Sequence, residues 1–333
     1  MSILELFGNG VTSGNDGNKN HLKNVVLVDV SYFAQRTFHG QYKSGERVTH
    51  VSMRYTLLMT LLHRFEKLGI KATTHEIILC YDGRRYWKKV VAPYYKCRRK
   101  DKPDDRKDWD GFREHMESVR NELVKYYPFM VLQFTNDAWY DRESDKMFVS
   151  GIEADDVIGV LAKRFSEEGR NVMVMTGDGD FTQLDYLERL TIYDYDSKIV
   201  KPEHGCGTFD LIHKIVNGDA KDDVANIYMR SDYWDTKVDG ERQTSAKKLA
   251  RECCEVEDPL SILNEEQKAR YIENRTLKDF NYIPRDLVDC INQRYDDYVI
   301  NGMDKIYDLF YDLQVEESII QDNLKRMIMG IYR

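Results

Sequence analysis

Acidic residues define the chemistry open to this chain. Three apolar runs each lead into aspartate: VVLV into Asp29, EIILCY into Asp82, and NVMVMT into a Gly-Asp-Gly-Asp turn that holds Asp178 and Asp180. The segment Gly151-Ile-Glu-Ala-Asp-Asp156 places Glu153, Asp155 and Asp156 where a helix begins. The turn Asn217-Gly-Asp-Ala-Lys-Asp-Asp-Val224 adds Asp219 and Asp222. Carboxylates gathered in one place repel and raise each other's pKa unless a cation neutralises them. An all-oxygen donor set favours Mg²⁺ or Mn²⁺ over Zn²⁺ or copper. Taken singly, each acid is explained by helix capping or solvated surface; taken together, they read as a metal site. Spacing does not choose partners at the helix start. Glu153 and Asp156, three apart, share a helix face, whereas Glu153 and Asp155 converge only if Glu153 precedes the first full turn.

The elements that must position these acids follow from the apolar pattern. Residues 25–28, 76–81 and 171–176 read as buried strands, and 191–193 as a fourth. Helices are expected over 51–67 and 155–168, where apolar residues recur at helical spacing. Strands alternating with helices predict an α/β fold with a parallel sheet. Ligands of such sheets bind beyond the carboxyl ends of the strands, so this reading alone gathers the acids into one crevice. From about residue 206 the strand signals vanish. Helices are expected over 209–216, 244–254, 264–274, 284–298 and 303–313. The resulting organisation is a mobile polar leader at 1–20, an α/β domain at 21–205 and a mostly helical domain at 206–333.

Composition narrows the class further. A chain of 333 residues, 42% hydrophobic and 12% aromatic, is long and apolar enough for a sizeable core. No run approaches the length needed to cross a bilayer, and the first twenty residues do not form a secretory signal. The six cysteines (80, 97, 206, 253, 254 and 290) include no C-x-x-C pair, which fits a reducing cytoplasm. H-E-x-x-H, G-x-S-x-G and Walker-A motifs do not occur, which argues against a zinc protease, an α/β-hydrolase and a P-loop NTPase. The net charge of −8 conceals an asymmetry. Residues 84–107 hold eleven Lys/Arg against three Asp, or +8, leaving −16 for the remainder. A solvated charged loop is the plain meaning of such a run; an anion-binding element is the sharper one.

These residues resemble the 5′-nuclease superfamily of flap endonucleases and 5′–3′ exonucleases, and within it the ribonucleases H of T-even bacteriophages. The blocks that carry the resemblance begin with Leu27-Val-Asp-Val-Ser31, Leu79-Cys-Tyr-Asp-Gly83, Tyr86-Trp-Lys-Lys89, Tyr94-Tyr-Lys96 and Trp109-Asp-Gly-Phe112. They continue with Glu153-Ala-Asp-Asp156, Gly177-Asp-Gly-Asp-Phe-Thr-Gln-Leu184, Gly218-Asp-Ala-Lys-Asp-Asp-Val224, Arg230-Ser-Asp-Tyr-Trp234 and Val238-Asp-Gly-Glu-Arg242. The resemblance implies a parallel-sheet nuclease core of PIN-like type and a helical domain carrying a helix–three-turn–helix-like element. It implies two Mg²⁺ ions, with Mn²⁺ as a substitute. Asp29, Asp82, Glu153 and Asp155 match the tighter site; Asp178, Asp180 and Asp222 match the second, with Asp219 close by. Asp156 matches a family acid of secondary role. Two metals stabilise the attacking and leaving oxygens of a phosphodiester without a covalent protein intermediate.

By the same resemblance the basic segment at 84–112 forms an arch or bridge over the active site. Lys88 and Lys96 match positions that approach the scissile phosphate, and Lys89, Arg98 and Arg99 are expected backbone contacts. Tyr86, Trp87, Tyr94, Tyr95 and Trp109 interleave with these bases and suit stacking on nucleobases; packing against the sheet is the alternative, of equal weight for Trp87 and Tyr94. The turn at 218–224 resembles the element that grips duplex phosphates, often with K⁺. Here Asp223 stands where Asn is usual and the later glycines are missing, which weighs against K⁺. Duplex contact is expected through Lys221, Lys237, Arg242, Lys247 or Lys248.

The implied substrates are RNA–DNA hybrids, 5′ flaps and nicked duplex DNA. The implied setting is primer removal in phage replication, in the cytoplasm of the infected host. A monomer is expected, with a phage single-strand-binding protein and a sliding clamp as implied partners. Three rivals make other demands. A haloacid-dehalogenase-type phosphohydrolase would use Asp29 as nucleophile, but the position of its general acid holds Ser31. A noncatalytic nucleic-acid clamp would not require the full acid set. A PIN-type ribonuclease would lack the arch and the helical domain. The last residues, 322–333, are expected to form a core helix rather than a docking tail.

Overall fold

The computed structural model describes residues 23–43, 49–99, 109–142 and 144–302, together with 305, 308 and 330. The leader at 1–20, the helix expected over 303–313 (but for residues 305 and 308), the terminal stretch (but for residue 330) and residues 100–108 of the basic segment lie outside the described residues, as do the side chains of Arg99 and Trp109.

The sheet is parallel and five-stranded, built from β1 (Asn24–Asp29), β2 (His75–Tyr81), β3 (Met130–Gln133), β6 (Val172–Met175) and β7 (Leu190–Tyr193) in the order β3-β2-β1-β6-β7. The chain winds outward from β1 through β2 to β3, then returns to the other side of β1 for β6 and β7. The order therefore reverses between β1 and β6, where a doubly wound sheet opens its crevice. Register sets what faces that crevice. Asp29 pairs with Cys80, and Val28 with Met175, so Asp29, Asp82 and the residues after Met175 all emerge at one edge.

Both faces of the sheet are buried, as the uninterrupted apolar strands require. Val26 and Val28 point into one core, with Leu79 and Val131. It is covered by α1 (Val30–Lys43), α2 (His50–Lys67) and, after the short α3 (Trp87–Val91), α4 (Trp109–Tyr126). Val25 and Leu27 point into the other, beneath α5 (Ala154–Glu167). A Thr49/Ser52 capping box starts α2. The elements expected over 25–28, 76–81, 171–176, 191–193, 51–67 and 155–168 are all present within a few residues of those bounds. The strand β3 and the antiparallel hairpin of β4 (Asp137–Asp141) and β5 (Lys146–Ser150) were not expected. Four apolar residues following a helix are too few for periodicity to separate strand from helix.

Beyond residue 206 the elements are α6 (Gly207–Asn217), α7 (Tyr233–Thr236), α8 (Lys247–Cys254), α9 (Glu265–Lys278) and α10 (Arg285–Asp296). Ile215, Val216, Ala250, Cys253 and Tyr271 give α6, α8 and α9 a core of their own. Phe280, Ile283, Leu287 and Ile291 instead join the core under α5. Asn274, fully buried on α9, donates from Nδ2 to the carbonyls of Ile215 and Ala225, both at 2.8 Å, and so fixes the exit of α6.

Asn274→Ala leaves the Ile215 carbonyl without this donor, while Arg270 still reaches Ala225 at 3.3 Å. The expected cost is about 2 kcal/mol, read as a lower urea midpoint at unchanged slope.

Candidate active site and nucleic-acid interface

Asp29, at the end of β1, is held from both sides. Its Oδ1 accepts from the Tyr32 amide at 3.0 Å and its Oδ2 from the Thr176 hydroxyl at 3.0 Å. Asp82, just past β2, accepts the Ala154 amide on Oδ1 at 2.9 Å, a donor exposed at the N-terminus of α5. Asp155 lies in the first turn of α5, and Asp178 caps the 3₁₀ turn that follows β6 by accepting the Asp180 amide at 2.9 Å. Burial, reinforced by Asp82 and Asp178, raises the pKa of Asp29 to about 7. Burial and then the charges of Asp29 and Asp178 push Asp155 well above the carboxylate range, and burial with Asp180 raises Asp178. None of Asp29, Asp82, Asp155 and Asp178 forms an ion pair with a described residue.

The remaining acids have internal partners. Glu153, the N-cap residue of α5, takes Lys88 on Oε2 at 3.0 Å and Lys96 on Oε1. Burial opposes its ionisation, but Lys96 and Lys88 prevail and hold it at about 2. The Tyr95 hydroxyl bridges Glu153 and Asp222 at 3.1 and 3.3 Å. Asp156, fully buried, accepts from Trp87 Nε1 at 2.7 Å and Lys88 at 2.8 Å, which ties α3 to α5. Asp180, Asp219 and Asp222 present carboxylate oxygens within 4.8 Å of one another. Lys278 reaches all three, at 2.7, 2.7 and 2.8 Å, and Lys214 pairs with Asp180 as well. These two cations overcome burial and hold Asp180 at about 2. The charge of Asp178 thus acts on Asp29 and Asp155 as well as on Asp180, and Glu153 is held among lysines.

Sequence reasoning missed Lys278 and Lys214. Lys278 ends a helix 56 residues beyond the nearest expected acid, Asp222, and no local pattern marks it. It also cast the aromatics of the basic segment partly as base-stacking residues. Trp87 is buried in a core with sheet residues, as the packing alternative has it, whereas Tyr94 and Tyr95 are buried with Val224 and Leu277 instead. Tyr86 is half-buried against this cluster, beneath the Lys96 ammonium at 5.6 Å.

Arg98, expected at the phosphate backbone, turns inward. Its Nε donates to Asp223 at 2.5 Å, its Nη2 to the Ala220 carbonyl at 2.6 Å, and its guanidinium lies 3.8 Å from the Trp234 ring centre. Lys89 reaches the Lys96 carbonyl at 3.5 Å, and Lys221 is exposed at the turn tip. The turn needs Gly218, whose φ of +76° and backbone neighbours at 2.6 Å exclude a Cβ. It also needs Asp223 at φ +59°, a conformation Asp tolerates. Beside Gly179 opens a cleft of about 540 Å³ lined by Lys201, His204, His213, Lys214, Lys247 and Arg251.

A sequence profile described as the 5′–3′ exonuclease N-terminal resolvase-like domain matches residues 24–209, and one described as the T4 RNase H C-terminal region matches 205–322. The chain is 32% identical over 298 residues to ribonuclease H of Enterobacteria phage T4, covering 88% of this chain and 92% of that protein. It is 28% identical over 182 residues to DNA polymerase I of Thermus filiformis, 54% of this chain but only 18% of the polymerase. The crystal structure of a bacteriophage T5 flap endonuclease complex with DNA and metal ions superposes with a TM-score of 0.54 at 16% identity, over 81% of this chain and 97% of that one.

Asp210 holds the cleft wall. Burial works against its charge, but the amides of Glu203 and His204, the Thr182 hydroxyl and the His204 ring keep its pKa below the ordinary value. A depressed carboxylate contributes stability above its unfolded pKa and loses it as pH falls through the folded one. Asp210→Asn is therefore expected to cost about 2 kcal/mol at pH 7. The gap from wild type should close as pH falls below about 4, as read by urea melts at both pH values.

Proposed function

The chain belongs to the 5′–3′ exonuclease family, with the C-terminal region of the T4 ribonuclease H type, and on that premise we propose that it is a divalent-metal-dependent 5′-nuclease that attacks RNA–DNA hybrids, 5′ flaps and nicked duplex DNA. The observation that supports this most is that Asp29, Asp82, Asp155 and Asp178, at the sheet's switch point, feel one another's charge and have no ion-pair partner among the described residues. Four hard oxygen donors fit Mg²⁺, or Mn²⁺ in its place. Asp180, Asp219 and Asp222 form a second all-oxygen set. Bound there, the two ions would supply Lewis-acid charge to the phosphodiester and lower the pKa of the attacking water.

The chain's own residues do the rest. Thr176 and the Tyr32 amide orient Asp29, and the start of α5 orients Asp82. Lys96 stands at φ +51°, its amide bound to the Asp222 carbonyl at 2.9 Å. Strain kept in place by surrounding contacts is a feature of functional sites. Lys96 and Lys88 are read as the positive charge presented to the scissile phosphate, where such charge counts most in a water-poor site. Lys89, Tyr86 and Lys221, with Arg99, are read as outer contacts to nucleic acid. The basic cleft, with Lys247, suits the duplex backbone, and nothing in this reading requires K⁺.

In this reading the biological task is removal of RNA primers from lagging-strand fragments by a monomer in the cytoplasm of an infected bacterium, beside a single-strand-binding protein and a sliding clamp. No helix among the described residues is long and apolar enough to cross a membrane.

A 5′-labelled flap duplex and an RNA–DNA hybrid, each with Mg²⁺ or EDTA, test the reaction. Short 5′ products are expected only with Mg²⁺. Asp155→Asn should lower cleavage at least about a hundredfold and leave binding intact; product in EDTA, or cleavage unchanged in the variant, would refute the reading. Replacing both Lys247 and Arg251 with Ala should weaken duplex binding across sequences and flatten the salt dependence by about one to two phosphate contacts, as measured by fluorescence anisotropy at several salt concentrations.

A further inference from the structure

One acid cluster already contains its own cation. The Lys278 side chain is 1% exposed, and its ammonium has three hydrogens for three carboxylates: Asp180 and Asp219 at 2.7 Å and Asp222 at 2.8 Å. Its backbone is tied to Gln183 of the 3₁₀ turn after β6. The Lys278 carbonyl accepts from Gln183 Nε2 at 3.1 Å, and the Phe280 amide donates to Gln183 Oε1 at 2.9 Å. The ammonium therefore sits at a set place, between the 3₁₀ turn after β6 and the turn after α6. Carboxylate oxygens of the same three residues lie within 4.8 Å of one another, a donor set for a hard divalent ion. Two cations cannot share these oxygens at contact distance without strong repulsion.

We propose that Lys278 is the resident counter-cation of the Asp180–Asp219–Asp222 cluster, and that a divalent ion enters that cluster only by displacing its ammonium. This rests on the metal-dependent reading above and goes beyond it. The site formed around Asp29 fills directly, whereas the second site fills by exchange. Lys278 thereby weakens the second ion and keeps the cluster folded when that ion is away. Its four-carbon stem lets the charge withdraw while the backbone stays in place.

The test is Mn²⁺ binding to the full chain, followed by calorimetry and by the spin-resonance signal of free Mn²⁺, alongside thermal melts with and without Mn²⁺. Wild type is expected to bind one ion tightly and a second more weakly. Lys278→Met and Lys278→Gln should tighten the second ion by about tenfold or more and leave the first unchanged. Lys278→Arg, which keeps the charge, should leave the second ion weak. Without metal both neutral variants should melt several degrees below wild type, and saturating Mn²⁺ should restore them. A second ion unchanged or weakened in both neutral variants, with the first intact, overturns the proposal, as does an undiminished metal-free melting temperature. Wild type that binds no Mn²⁺ would instead overturn the metal-dependent reading itself.

Discussion

Negative charge held at low dielectric is the constraint on which the rest of this structure depends. The parallel sheet delivers Asp29, Asp82 and Asp178 to one edge because its strand order reverses between β1 and β6. The start of α5 and the turn after α6 bring five more acids to the same place. Two unit charges 4 Å apart repel by about 4 kcal/mol at an effective dielectric of 20. A domain's whole stability is about 5–15 kcal/mol, so a few uncompensated repulsions would cancel it. The fold answers with lysines from four separate places: α3, the loop after it, α6 and α9. Glu153 and Asp180 fall to about 2, while Asp29 rises to about 7. The split marks where compensation is built into the fold and where it is not.

The same ion pairs also assemble the tertiary structure. Lys88 clasps Asp156 and Glu153 of the α5 start, Lys96 links that start to Asp222, and Lys278 closes α9 onto both turns. The apolar cluster at this junction is small: Ala92, Tyr94, Tyr95, Val224 and Leu277. Burial of so few side chains does not fix orientation well, because the hydrophobic effect has no direction. Charged hydrogen bonds do have direction. These acids therefore align the helical region with the sheet.

Much of this was legible in the sequence, and the limits have physical causes. Buried parallel strands announce themselves as apolar runs, and a carboxylate just past such a run can only lie at the sheet's edge; Asp29 and Asp82 needed nothing more. The α5 start was legible as a helix, but its partners were not. Spacing left Glu153 free to join Asp155 or Asp156, and the outcome was decided by Lys88 and Lys96, whose approach depends on the path of α3. Lys278 shows the general difficulty, since an ion pair across 56 or more residues leaves no trace in local periodicity. The aromatics mislead for a related reason. Residues that stack on bases and residues that pack under a helix share one composition, and only the burial of Trp87, Tyr94 and Tyr95 separates the two.

Three residues of the basic segment and the helical region form one connected unit. Asp223 stands where the resemblance leads one to expect Asn, and Trp234 lies in the following 230–242 stretch. Arg98 joins them, with its guanidinium on the Asp223 carboxylate, the Ala220 carbonyl and the Trp234 ring. The stretch is closed by Arg230 on Glu241 at 2.6 Å. Asn at 223 could accept from Arg98 but would bring no charge, and the planar guanidinium pairs best where a carboxylate and an aromatic face are both available. Asp223, Arg98 and Trp234 thus make sense only together. Arg98 lies in the basic segment, so this unit fixes that segment to the turn at 218–224. A guanidinium also occupies the carbonyl side of that turn, as the Lys278 ammonium occupies the neighbouring acids. In both places the chain supplies a cation from its own sequence.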